Sequence, residues 1–113
     1  MTDSNGMNDG TRFLASLEAL IRERMATNPE GSYVASLVAA GDKRLAQKLG
    51  EEAVELVIAV AAGDRSEQLD EAADLLFHLL VLLNAHGIRL EDVTKVLEQR
   101  HAQGALQERQ GPA

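Results

Sequence analysis

Five acids in two short runs carry the chemistry open to this chain: Glu51, Glu52 and Glu55, then Glu71 and Asp74. Both runs sit in segments that are otherwise strongly apolar. Carboxylates three or four residues apart share one face of a helix. A single turn signal, Gly63-Asp64-Arg65-Ser66, separates the two stretches. A helical hairpin therefore points the acids at each other across an apolar interface. Like charges repel at that range, so the arrangement needs a cation to neutralise it. Hard oxygen ligands alone suit Mg²⁺ or Mn²⁺ rather than zinc. Magnesium bound to a polyphosphate is the leading candidate.

The helical wheel sharpens this at roughly 100° per residue. Glu51, Glu52 and Glu55 fall in a sector about 100° wide with Lys48 inside it, while Leu45, Leu49, Ala53, Val54, Leu56, Val57 and Val60 fill most of the rest. Downstream, Glu67, Glu71, Asp74 and His78 lie within about 40–60° of one another. Leu69, Ala72, Leu75, Leu76, Phe77, Leu79, Leu80 and Leu83 cover the other directions. A run of glutamates on a helix is usually a solvated face. Here two narrow polar stripes lie between apolar walls, and burying unpaired carboxylates costs several kcal/mol each. A metal site explains both stripes at once.

The elements that must position these acids are helices. Phe13, Leu14, Leu17, Leu20, Ile21 and Met25 repeat with helical period up to Asn28-Pro29. Ser32 can cap a short second helix through Tyr33 and Leu37, stopping at Gly41. Asp42 is expected to cap a long helix to about Ala62, with Gly63 past its end. Asp64 or Ser66 caps the next, to about His86, and a last helix spans about Leu90 to His101. No strand pattern competes, so the class is all-α, a bundle of about four to five helices. Residues 1–10 read as a disordered tail, 11–102 as the domain and 103–113 as a frayed end.

Composition narrows the function. At 113 residues the chain is one domain. A net charge of -7 argues against a nucleic-acid groove, which needs a basic field. There is no cysteine, hence no disulfide and no thiolate metal site. The longest apolar run, Leu79 to Leu83, is too short to span a membrane, and residues 1–10 lack the apolar core of a signal peptide. A cytoplasmic protein without nucleic-acid or membrane partners is expected. The stretch from Leu69 to Leu83 is apolar nearly all round, which calls for a homodimer to cover it.

The pattern Glu-Glu-x-x-Glu followed by Glu-x-x-Asp resembles the signature of the MazG-like all-α nucleotide pyrophosphohydrolases. Three segments tighten the resemblance: Ser32-Tyr33-Val34-Ala35-Ser36-Leu37, Gln47-Lys48-Leu49-Gly50-Glu51-Glu52-Ala53-Val54-Glu55, and Glu71-Ala72-Ala73-Asp74-Leu75-Leu76-Phe77-His78 with the leucines after it. Together, over about Phe13 to His101, they look like the phosphoribosyl-ATP pyrophosphohydrolase family of histidine biosynthesis. That resemblance implies Mg²⁺-dependent hydrolysis of phosphoribosyl-ATP to phosphoribosyl-AMP and pyrophosphate, in a dimeric MazG-like bundle. By match to the motif, Glu52, Glu55, Glu71 and Asp74 are the expected metal ligands. Glu51 shares in ligation or positions the water, so the catalytic set is Glu51, Glu52 and Glu55. The cyclohydrolase fused to this activity in some lineages is expected on a separate chain.

An anionic substrate also needs cations beyond the metal. Lys48 is the first candidate for a phosphate contact, against the alternative that it pairs with Glu51 or Glu52. Lys43 and Arg44 are weaker ones. His78 either supports a ligand carboxylate or is a satisfied core histidine. Ser32 and Tyr33 either line the substrate pocket or serve as a cap and a packing aromatic. Two other functions share the acidic core: a house-cleaning pyrophosphohydrolase of non-standard nucleoside triphosphates, and a non-catalytic metal-binding helical dimer. A di-iron bundle fits less well, because it wants Glu-x-x-His on each of two helices.

Overall fold

The computed structural model describes residues 9–104. They form five helices: α1 (Asp9–Thr27), α2 (Tyr33–Ala40), α3 (Asp42–Ala62), α4 (Arg65–Ala85) and α5 (Leu90–Ala102), with no strand among the described residues. α1 opens at Asp9, two residues inside the segment expected to be a tail. An aspartate in the first turn faces the positive end of the helix dipole, which favours that start. Residues 1–8 and 105–113 lie outside the described residues.

Each helix ends where the chain supplies a residue that can turn. After α1, Asn28 takes a left-handed φ of 48°, and Pro29 cannot continue the helix. The Ser32 hydroxyl caps α2 by accepting from the Ala35 N–H at 3.1 Å. Gly41 then closes α2 and opens α3 at a φ of 99°, a conformation that suits glycine. This displaces the expected cap: Asp42 is the first helical residue of α3, and no side chain caps that helix. The Asp42 carboxylate instead lies 3.2 Å from His86 Nε2 at the end of α4.

The α3–α4 turn matters most for the site. Gly63 adopts φ 74°, and the Asp64 N–H reaches back to the Ala59 carbonyl at 3.2 Å, satisfying the end of α3. Asp64 immediately caps α4, its Oδ1 accepting from the Glu67 N–H at 3.1 Å. The chain reverses in two residues, so α3 and α4 lie against each other along their length and form the most extensive helix pairing in the molecule.

The core is aliphatic: Ile21, Val34, Leu37, Leu45, Leu80 and Val81, with Leu14, Leu17, Met25, Phe77 and Leu90 packed around it. It draws on α1, α2, the first turns of α3 and the second half of α4. The rest of α3 leaves Val54, Val57, Ile58 and Val60 more than half exposed, and Leu69 on α4 likewise. Among the described residues, no single helix is long and apolar enough to cross a membrane.

One polar group organises three helices. Glu18 Oε2 accepts from Asn84 Nδ2 at 2.9 Å and from the Leu90 N–H at 2.7 Å. Asn84 is buried and also donates to the Leu80 carbonyl at 2.9 Å. Glu18 therefore ties α1 to α4 while satisfying an open N–H at the start of α5.

Candidate metal centre between α3 and α4

Glu52 and Glu55 are one helical turn apart on α3, and Glu71 faces them from α4. Ligand oxygens of these three carboxylates all lie within 4.8 Å of one another. Burial differs across the group: Glu52 is buried, Glu71 half-buried and Glu55 exposed. The cluster thus opens to solvent on the Glu55 side. Below it, Gln68 Nε2 donates to the Ala59 carbonyl at 3.4 Å and stitches α4 to α3.

The carboxylate oxygens are only partly satisfied. Lys48 Nζ sits 3.3 Å from Glu52 Oε2, one turn earlier on the same helix. That contact holds the ammonium above its usual range against the opposing effect of burial, with smaller contributions from Tyr33, Glu52 and Glu51 charge. With all three acids ionised, Glu52 Oε1 and Glu71 Oε1 are buried and receive no hydrogen bond. Native interiors rarely tolerate such atoms, and each unsatisfied charged acceptor costs on the order of several kcal/mol. Two orphaned oxygens facing a third carboxylate are what a hard cation would bind. The donor set therefore fits a metal ion.

Of the expected metal ligands, three meet in this cluster. Asp74 lies one turn beyond Glu71 on α4, exposed, and is not among the clustered carboxylates. Glu51 is exposed and accepts from Gln47 Nε2 at 3.1 Å. Lys43 and Arg44 remain exposed in the first turn of α3. Lys48 pairs with Glu52 rather than with Glu51. Ser32 spends its hydroxyl on capping α2. His78 is buried, with Nδ1 2.7 Å from the Asp74 carbonyl and Nε2 2.8 Å from the Tyr33 hydroxyl. A carbonyl can only accept, so Nδ1 donates to it, and Nε2 pairs with the Tyr33 hydroxyl.

A cleft of about 280 Å³ continues from the cluster along α3 and α4, lined by Glu55, Ile58, Ala59, Ala62, Asp64, Glu67 and Glu71. Its small-residue floor was not anticipated from the sequence. The signal was there in the spacing: Ala59 and Ala62 continue the Glu52–Glu55 face by further turns of the helix.

Burial, then hydrogen bonding and charge from Glu55 and Glu52, push the Glu71 carboxyl up to about 7. An unfolded glutamate titrates near 4.3. Between these values the folded protein holds a proton that the unfolded chain has lost, so stability falls as pH rises through that window. In EDTA, the melting temperature should decline from about pH 5 to about pH 8, and Glu71→Gln should flatten that decline. A wild-type profile that is flat, or rises, over this range would mean that the acids do not strain the fold.

The comparisons with known proteins bear on what such a site serves. Residues 14–101 match the family model for phosphoribosyl-ATP pyrophosphohydrolase. A phosphoribosyl-ATP pyrophosphatase of Methylobacterium nodulans is 52% identical over 99 residues, covering 88% of this chain and 92% of that protein. The histidine biosynthesis bifunctional proteins HisIE of Photobacterium profundum and Vibrio cholerae are 49% and 51% identical over 89 residues, 79% of this chain. The chain spans less than half the length of these two, 43% and 42% respectively. The match runs through all five helices and both acidic stripes, and the chain belongs to the phosphoribosyl-ATP pyrophosphohydrolase family.

Proposed function

We propose that this protein hydrolyses 1-(5-phosphoribosyl)-ATP with one water to 1-(5-phosphoribosyl)-AMP and pyrophosphate, the second step of histidine biosynthesis, with Mg²⁺ as its metal and Mn²⁺ as a possible substitute. The observation that carries this reading is the pair of buried, unpartnered oxygens on Glu52 and Glu71 facing Glu55. Glu52, Glu55 and Glu71 would hold the metal, and Asp74 is the fourth ligand that the family motif implies. When bound, the ion supplies charge neutralisation at the non-bridging phosphoryl oxygens and lowers the pKa of a bound water.

The chain's own groups prepare that site. The rigid α3–α4 turn fixes the spacing between the two carboxylate-bearing faces. Lys48 engages Glu52 Oε2 and leaves Oε1 for the cluster. With about a quarter of its side chain exposed, the Lys48 ammonium can also meet a phosphate at the edge of the site. Glu51, exposed beside Glu52, is the candidate for holding the attacking water.

Purified protein incubated with phosphoribosyl-ATP and Mg²⁺ and resolved by HPLC should yield phosphoribosyl-AMP and pyrophosphate, faster than it cleaves any member of a nucleoside triphosphate panel. Glu55→Gln and Asp74→Asn should each lower kcat by on the order of 10² or more, because a ligand oxygen loses its charge. Orthophosphate as the first product, full turnover in excess EDTA, or near-normal rates in both variants would remove the proposal.

The same reading includes a homodimer. Val54, Val57, Ile58, Val60 and Leu69 are each 57% to 66% exposed along one helical pair. Burying a side chain of this size contributes about 1.5–3 kcal/mol, so covering the strip is strongly favourable. Light scattering at micromolar concentration should report twice the chain mass of 12.2 kDa; a monomer would contradict the assignment.

A further inference from the structure

The Tyr33 ring is held more firmly than an exposed aromatic usually is. Its hydroxyl lies 2.8 Å from His78 Nε2, and His78 is itself fixed by the Asp74 carbonyl at 2.7 Å. The ring lies nearly parallel to Phe77, 18° between planes and 6.2 Å between centroids. His78 meets both rings edge-on, at 87° to Tyr33 and 88° to Phe77. Despite these contacts the residue is 49% exposed.

What remains available on Tyr33 decides what it can recognise. The hydroxyl is already engaged by a buried histidine, so it is a poor reader of ligand hydrogen bonds. One side of the ring faces Phe77. The open part of the ring offers a flat apolar surface that costs little to order, because its orientation is already set. Its position is tied to the carboxylate-bearing helix α4, because the His78 ring that meets its hydroxyl is anchored there. The backbone carbonyl that anchors His78 belongs to Asp74, one turn from Glu71.

We infer that Tyr33 is the platform on which the adenine base of the substrate stacks, with the polyphosphate leading from it past Lys48 to the carboxylate cluster. This rests on the proposed pyrophosphohydrolase activity and adds the residue that selects for a nucleotide base. His78 is then a positioning residue that holds the platform through the Tyr33 hydroxyl.

Tyr33 is the only tyrosine in the chain and there is no tryptophan, so intrinsic emission reports this ring alone. Adenosine monophosphate, added in EDTA, should quench that emission saturably after absorbance correction, and ribose 5-phosphate should not. In turnover of phosphoribosyl-ATP, Tyr33→Leu should raise KM on the order of tenfold or more with kcat within about threefold, the size of a lost base–aromatic stack. Tyr33→Phe keeps the ring but loses the His78 contact, so its KM should fall between those of wild type and Tyr33→Leu. Emission indifferent to adenosine monophosphate overturns the inference, as does a wild-type KM in Tyr33→Leu. A wild-type protein that releases no pyrophosphate instead removes the proposed activity, and the quenching measurement still reads the platform.

Discussion

Everything distinctive about this protein depends on three carboxylates held together against their mutual repulsion. Glu52, Glu55 and Glu71 converge within 4.8 Å, two of their oxygens are buried and receive no hydrogen bond when the acids are ionised, and the Lys48 ammonium touches Glu52. The hydrophobic core must supply the energy that holds this arrangement in place. That core lies toward α1, α2 and the second half of α4, so the strained acids occupy the other end of the α3–α4 pair. Separating function from core lets charge accumulate at one end without opening the other.

The turn between α3 and α4 makes the convergence possible. Gly63 and Asp64 satisfy the end of one helix and the start of the next within two residues. A longer or looser connection would let the acids rotate apart, since repulsion favours that motion. The adjoining apolar strip of α3 follows from the same geometry. With one face committed to α4 and its acids, Val54, Val57 and Val60 have no neighbour among the described residues large enough to cover them.

Much of this was legible in the sequence because the cues are local. Asn28-Pro29, Gly41, Gly63-Asp64 and Gly87 punctuate the chain, and acids at helical spacing in apolar surroundings marked the stripes. The choice between Asp64 and Ser66 as the α4 cap, and the loss of Asp42 as the α3 cap, turned on backbone dihedrals that composition does not reveal. Which acids meet depends on the relative rotation of two helices. The stripe on α4 contains Glu67, Glu71 and Asp74, yet only Glu71 joins the cluster. Contacts distant in sequence were the least readable. Tyr33 and His78 are 45 residues apart, and Glu18 lies outside any motif yet joins Asn84 and Leu90, 66 and 72 residues away. Sequence separation of that order is set by tertiary packing, not by spacing along one helix.

The most direct test removes one charge from the cluster and reads stability with and without metal. Glu52→Gln keeps the shape of the side chain while relieving the repulsion. In EDTA at neutral pH it should melt above wild type, whereas Mg²⁺ should raise the wild-type melting temperature and leave the variant nearly unchanged, since a ligand that binds only the folded state stabilises it. Na⁺ at matched ionic strength should reproduce neither effect. A Glu52→Gln protein that melts below wild type without metal, together with no Mg²⁺-specific shift in wild type, would show that these carboxylates are ordinary surface charge and that the metal centre is elsewhere.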